Sequence, residues 1–165
     1  MTASQKRNTQ TKEYIKQALT ILLTEEKFED ITVSKITRKS GINRGTFYLH
    51  YIDKYDLMEQ LKAETLGAIK AILTDNQLSP RQIIQAALDY MKSDFDFLYA
   101  ISRCHYVNFS ETIKEFLVSV IDLTPNGREH TVQYFQIPET YAIEVLAASI
   151  EGIISLWLTQ GAQES

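Results

Sequence analysis

Cysteine, proline and glycine are all scarce here: 165 residues hold one Cys, three Pro and six Gly. A single thiol, Cys104, makes no intramolecular disulfide, so nothing covalent staples the fold. So few turn formers argue against an all-β architecture and favour helices. The opening MTASQKRNTQTKEY lacks the apolar core of a secretory leader, which together with the lone thiol points to a reduced, cytoplasmic protein. The longest apolar stretch, 145–158, has 14 positions and contains Glu151, short of the roughly 20 residues a bilayer span needs, so no membrane partner is expected. Catalytic signatures are missing as well. There is no G-x-S-x-G, H-E-x-x-H, G-x-x-x-x-G-K-[ST] or G-x-G-x-x-G, so no enzyme is expected. Cys104-His105 and His130 offer thiolate and imidazole, but adjacent side chains diverge on a helix and no C-x-x-C or H-x-x-x-H pair exists. Neither a metal nor another cofactor is expected.

Net positive charge is also lacking, since 17 Lys+Arg face 21 Asp+Glu. The average conceals an asymmetry. Residues 1–62 carry 11 basic and 8 acidic side chains, net plus 3, whereas residues 63–165 carry 6 and 13, net minus 7. A basic head on an acidic body suits nucleic-acid contact, because phosphates need locally placed cations rather than a basic whole protein. A charge-mixed solvated surface explains the same numbers equally well.

Apolar periodicity divides the chain into helices. Residues 1–8 are polar and expected to be disordered. Ile15, Ala18, Leu19, Leu22 and Leu23 recur at helical spacing over about 9–24. Phe28 and Ile31 close the loop that follows. Thr32 is placed to N-cap a helix ending near Ser40, and Gly41 supplies the left-handed exit. Asn43 caps a third helix to about Tyr51, and Asp53 opens a fourth that runs to about residue 73. TDNQLSP, 74–80, breaks the helix. Further helices are expected over 80–99, 108–122, up to Phe135 after the turn Thr124-Pro125-Asn126-Gly127, and 138–160. The expectation is an all-α protein: a three-helix head within 1–62, joined by the fourth helix to a helical bundle within 63–165.

A short helix, a glycine turn and a second short helix from Thr32 to Tyr51 describe a helix-turn-helix. Phe47 and Tyr51 share one face of the second helix and are expected to pack on Leu22, Ile36 and Ile42. Arg44, Gly45, Thr46, Tyr48, Leu49 and His50 are left on the surface. Nine residues at about 1.5 Å each give a rod of about 13 Å, matched to a major groove about 12 Å wide.

The segment TVSKITRKSGINRGTFYLHYIDKYDLMEQL resembles the TetR family of transcriptional regulators, whose pattern runs from a glycine turn through T-[LF]-Y-x-[HY]-[FV] to K-x-x-L. The corresponding residues are Gly41, Thr46 to Tyr51, and Lys54 to Leu57, and the likeness covers about 9–62. The ending GIISLWLTQG, 152–161, is similar to the C-terminal domain of Firmicutes-type members. The resemblance implies base-edge or groove contacts from Arg44, Gly45 and Thr46, and phosphate contacts from Tyr48, His50 and Lys54. Thr32, Ser34 and Lys35 are placed to hold flanking backbone, with Lys6, Arg7 and Lys12 as arm or first-helix candidates. Leu49 meets a thymine methyl or nothing.

The same resemblance implies a homodimer on a palindromic double-stranded operator, a small-molecule effector, and repression released by that effector. An activator or co-regulator working through a protein partner is the alternative. Met91, Phe95, Tyr99, Tyr106, Phe109, Phe116 and Tyr134 are candidates for an effector pocket, against the plainer reading of helical core. Ala148, Gly152, Ile153 and Trp157, with Ala147, Ile150 and Ile154, are candidates for a dimer face, against packing within one subunit.

Overall fold

Nine α-helices and two single 3-10 turns are the regular elements among the described residues 3–163, whose side chains are described from Thr9 onward, in a computed structural model. The helices are α1 (Ala3–Glu25), α2 (Val33–Ser40), α3 (Arg44–Tyr48), α4 (Lys54–Leu73), α5 (Pro80–Ser93), α6 (Phe95–Ser102), α7 (Phe109–Leu123), α8 (Gly127–Phe135) and α9 (Glu139–Thr159). No strand occurs among the described residues.

The local signals act as their chemistry dictates. Thr32 accepts a hydrogen bond from the Lys35 amide at 3.3 Å and Asn43 accepts one from that of Thr46 at 2.7 Å. Asp53 accepts from both Tyr55 and Asp56 at 2.8 Å. Each satisfies amides that a helix start leaves orphaned. Gly41 leaves α2 at φ 71°, where a side chain would be strained. Gly127 is required for another reason: a Cβ there would lie 2.3 Å from the Ile121 carbonyl oxygen.

Four expectations are corrected. The first helix begins at Ala3 rather than near residue 9, so residues 3–8 are helical. The α3 helix has five residues and passes at Leu49 into a turn, so its rod is only about 7.5 Å long. The single helix expected over 80–99 is two, α5 and α6, meeting at Asp94. Finally, α9 has 21 residues and contains an 18-residue stretch of mean hydropathy 1.6, long and apolar enough to cross a bilayer by length and composition, because Ala142 and Ile143 extend the apolar pattern beyond 145–158. Its Ala142, Ile143, Ala147 and Leu158 are buried within the protein, the placement of a core-facing helix.

One continuous apolar core runs through both halves. In the head it contains Ile15, Leu19, Phe28, Ile31, Ile36, Phe47, Tyr51 and Leu57; in the body it continues through Met91, Phe97, Ile101, Phe109, Ile113, Ala147 and Leu158. The α4 helix crosses residue 62 unbroken and contributes to both. The α6 helix packs on α1, while α7, α8 and α9 pack on one another.

Candidate nucleic-acid interface

The α2–turn–α3 unit presents a small exposed face. Phe47 and Tyr51 are inside, 0% and 2% exposed. Burial turns the neighbouring positions outward: Tyr48 is half exposed, and Leu49 and Ile52 are 82% and 80% exposed. Arg44 donates to the Ser34 hydroxyl and to the Tyr48 hydroxyl, each at 3.2 Å, and its guanidinium lies 5.9 Å from the Tyr48 ring centroid. Ser34, Arg44 and Tyr48 therefore form one exposed network across the two helices. Among the described residues two hydroxyls and the Tyr48 ring hold the guanidinium, with no carboxylate paired to it, so it can turn to a better acceptor such as a guanine edge or a phosphate.

The remaining expected contacts are placed unequally. Thr32 and Thr46 serve the caps, the Thr46 hydroxyl donating to Asn43 at 3.0 Å. At Gly45 a Cβ would stand 3.3 Å from that same Asn43 oxygen, so the cap also favours glycine there. His50 is half-buried, and its imidazole pKa is lowered first by that burial and then by the Lys12 charge. Tyr51 is pushed up to about 12, chiefly by burial, and its hydroxyl has no partner among the described residues.

Two lysines are engaged within the protein. Lys35 pairs with Glu26 and donates to the Asp30 carbonyl at 3.0 Å. Lys54 donates to the Phe28, Glu29 and Ile31 carbonyls at 2.7, 2.8 and 2.9 Å. An ammonium has three donors, and all three of these tie down the loop between α1 and α2. Lys54 thus stands as a brace beneath the face, with no donor left for a phosphate. Lys12 pairs with Glu64 at 3.0 Å, and the side chains of Lys6 and Arg7 lie outside the described residues.

The seven aromatic and Met candidates for an effector pocket do not converge. Met91 and Phe109 are core, Tyr134 is 81% exposed, and Tyr106 stacks on Phe28 in the head. Phe95 stacks on Tyr99 beside a cleft of about 570 Å³ between α1 and the α5–α6 joint. Phe116 lines a second cleft, about 430 Å³, between α4 and α7, and Phe109 a third of about 540 Å³. The candidates sit on α5, α6, α7, α8 and the 3-10 turn His105–Val107, and aromatic type alone does not bring such positions together.

Comparison with known proteins agrees with this architecture. Residues 16–61 match the family model for bacterial regulatory proteins of the tetR family. The head, residues 16–61, is a tetR-family domain. It is 40% identical over 159 residues to a Bacillus subtilis (strain 168) protein described as the uncharacterized HTH-type transcriptional regulator YxbF, covering 84% of this chain and 41% of that one. The chain therefore spans less than half the length of that relative. The all-helical fold is shared with two solved structures. One is the fatty acid degradation regulator FadR from Bacillus halodurans, with a TM-score of 0.68, 16% identity, and 96% of this chain and 87% of that one covered. The other is the dihydroxyacetone kinase operon activator DhaS, with 0.59, 18%, and 92% and 85%. Family and relative alike are regulators rather than enzymes.

On the other side of this fold, α9 exposes Tyr141, Val145, Ile153 and Leu156, with Gly152 opening onto free space. The spacing puts Tyr141, Val145, Gly152 and Leu156 along one stripe. Of the expected dimer candidates, Gly152 and Ile153 are exposed, Ala148 is half-buried, and Trp157 packs against the core as Ile150 and Ile154 do, while Ala147 is inside it. Tyr141, Val145 and Leu156 are exposed without having been expected to be, because in so apolar a run the spacing alone does not fix which phase faces outward.

Proposed function

We propose that this chain is a sequence-specific DNA-binding regulator that works as a homodimer on a two-fold symmetric double-stranded operator, most simply as a repressor. The observation that carries the reading is the exposed Ser34–Arg44–Tyr48 network on a helix-turn-helix whose other side is buried. Arg44 supplies base-edge or phosphate hydrogen bonds, Tyr48 and His50 neutral contacts to phosphate, and Leu49 an apolar contact for a thymine methyl. The apolar stripe on α9 joins two copies. Two-fold pairing then places the α3 helices one DNA turn, about 34–36 Å, or a multiple of it apart.

Effector response is part of the same proposal. The three clefts fall in the range of about 300–1,000 Å³ usual for small-molecule sites. A ligand that binds one head spacing better than another shifts the population and releases DNA. Activation through a protein partner is the second reading, favoured by the likeness in fold to the operon activator DhaS. The test is selection of bound duplexes from a random pool, followed by titration at several salt concentrations. Enrichment of a symmetric site with affinity falling steeply with salt is expected, and no enrichment overturns the reading.

A further inference from the structure

Both flanks of α6 are fastened to the head. At its start, Asp94 receives Lys16 of α1, with Nζ 2.5 Å from Oδ1 and 2.6 Å from Oδ2. The pair is largely buried, with side chains 19% and 16% exposed. Thr65 of α4 donates to the same carboxylate at 3.3 Å, and the Lys16 ammonium lies 4.6 Å from the ring centroid of Phe97 on α6. Beyond its end, Tyr106 in the 3-10 turn His105–Val107 stacks on Phe28 at 4.7 Å and tilts against Tyr55 at 5.4 Å. Phe28 and Tyr55 themselves meet edge to face at 5.5 Å, beneath the Lys54 ammonium.

We propose that these two clamps, Asp94 on Lys16 and Tyr106 on the Phe28–Tyr55 pair, fix the angle of the head to the body, which makes Asp94 and Tyr106 positioning residues for operator binding. The proposal rests on the DNA-binding reading for its consequence but on geometry for its substance. A head joined to the body through α4 and through the apolar packing of α6 on α1 has no directional contact that stops these surfaces from sliding or rolling on one another. Two further attachments, one on α1 and one on the loop that Lys54 braces, remove that freedom. Both join residues more than 75 positions apart in sequence, 16 to 94 and 28 to 106, and neither touches the exposed face. A dimer gains from binding both half-sites together only if the two α3 helices are already held near the operator spacing.

The test pairs a direct readout with a DNA readout. In a Cys104→Ala background, spin labels at Leu49→Cys on the head and Gln160→Cys on the body, diluted with unlabelled chain, report the head–body distance distribution. Lys16→Met with Tyr106→Ala is expected to broaden it, while Lys16→Arg with Tyr106→Phe leaves it narrow. Without labels, the broadened variant is expected to lose about ten-fold in affinity for the selected duplex. It should keep its affinity for the same duplex with one half scrambled. An unchanged distribution overturns the clamp, as does an equal loss on both duplexes, which would make these residues supports of the reading face itself. If the starting protein enriches no duplex, the DNA-binding reading fails, and the distance distributions still decide the clamp. Should the double variant not fold, Tyr106→Ala alone, on a ring 38% exposed, carries the comparison.

Discussion

The head and the body leave different surfaces outside. Around α2 and α3 the apolar side chains Ile36 and Phe47 are fully buried, and the outer face joins the Arg44 network to the exposed Leu49 and Ile52. On α9 an apolar stripe of Tyr141, Val145 and Leu156 stays outside, and the body carries the acidic excess. A head with these features gains most from a polar, anionic partner. A body with an exposed apolar stripe gains most from a second apolar surface. The minus 4 of the whole chain is the sum of two surfaces with different partners.

The comparison breaks most completely if the head loses its core. Phe47→Ala is expected to destabilise the protein by about 3–5 kcal/mol, read from urea unfolding. A loss under about 1 kcal/mol would mean the α3 helix is not anchored as described. Charging the body stripe comes next: Val145→Glu with Leu156→Glu should give a monomer in sedimentation analysis with its helical content kept. A persistent dimer would move the interface elsewhere.

Smaller effects sharpen the division of labour within the head. Arg44→Ala should weaken binding to the selected duplex by about 1–3 kcal/mol and relax base preference at one position. Its unfolding midpoint should stay unchanged. Lys54→Met should do the reverse in kind, lowering stability by about 1–3 kcal/mol because three loop carbonyls lose their donor. It should leave the salt dependence of DNA binding intact, whereas loss of a phosphate contact would lower the slope by about one. The smallest change is Tyr51→Phe, which removes a buried, unpartnered hydroxyl. It is expected to leave stability level or raise it by about 1 kcal/mol, and a clear loss would reveal a partner for that oxygen.

What the sequence made legible was local. Thr32, Gly41, Asn43 and Asp53 act on amides and carbonyls within a turn of themselves, so their residue types suffice to place the helices of the head. The all-α class and the helix-turn-helix followed from these signals and from apolar spacing. What stayed hidden depends on distant partners. Asp94 breaks an otherwise plausible helix where it meets Lys16, 78 positions away. Lys54 reads as a phosphate ligand until the three carbonyls of the preceding loop surround it. Aromatic type does not say which of the effector candidates meet: Phe95, Phe116 and Phe109 line three different clefts, and the others line none of these.

The central claim is that a basic, hydroxyl-lined head reads DNA in pairs set by the body. Selection of duplexes from a random pool, followed by a salt titration on the winning sequence, tests it most directly. The account predicts one sequence with two-fold symmetry, half-sites separated by one or more DNA turns, and affinity that falls linearly with the logarithm of salt concentration. Enrichment of an asymmetric sequence, or no enrichment at all, would contradict it.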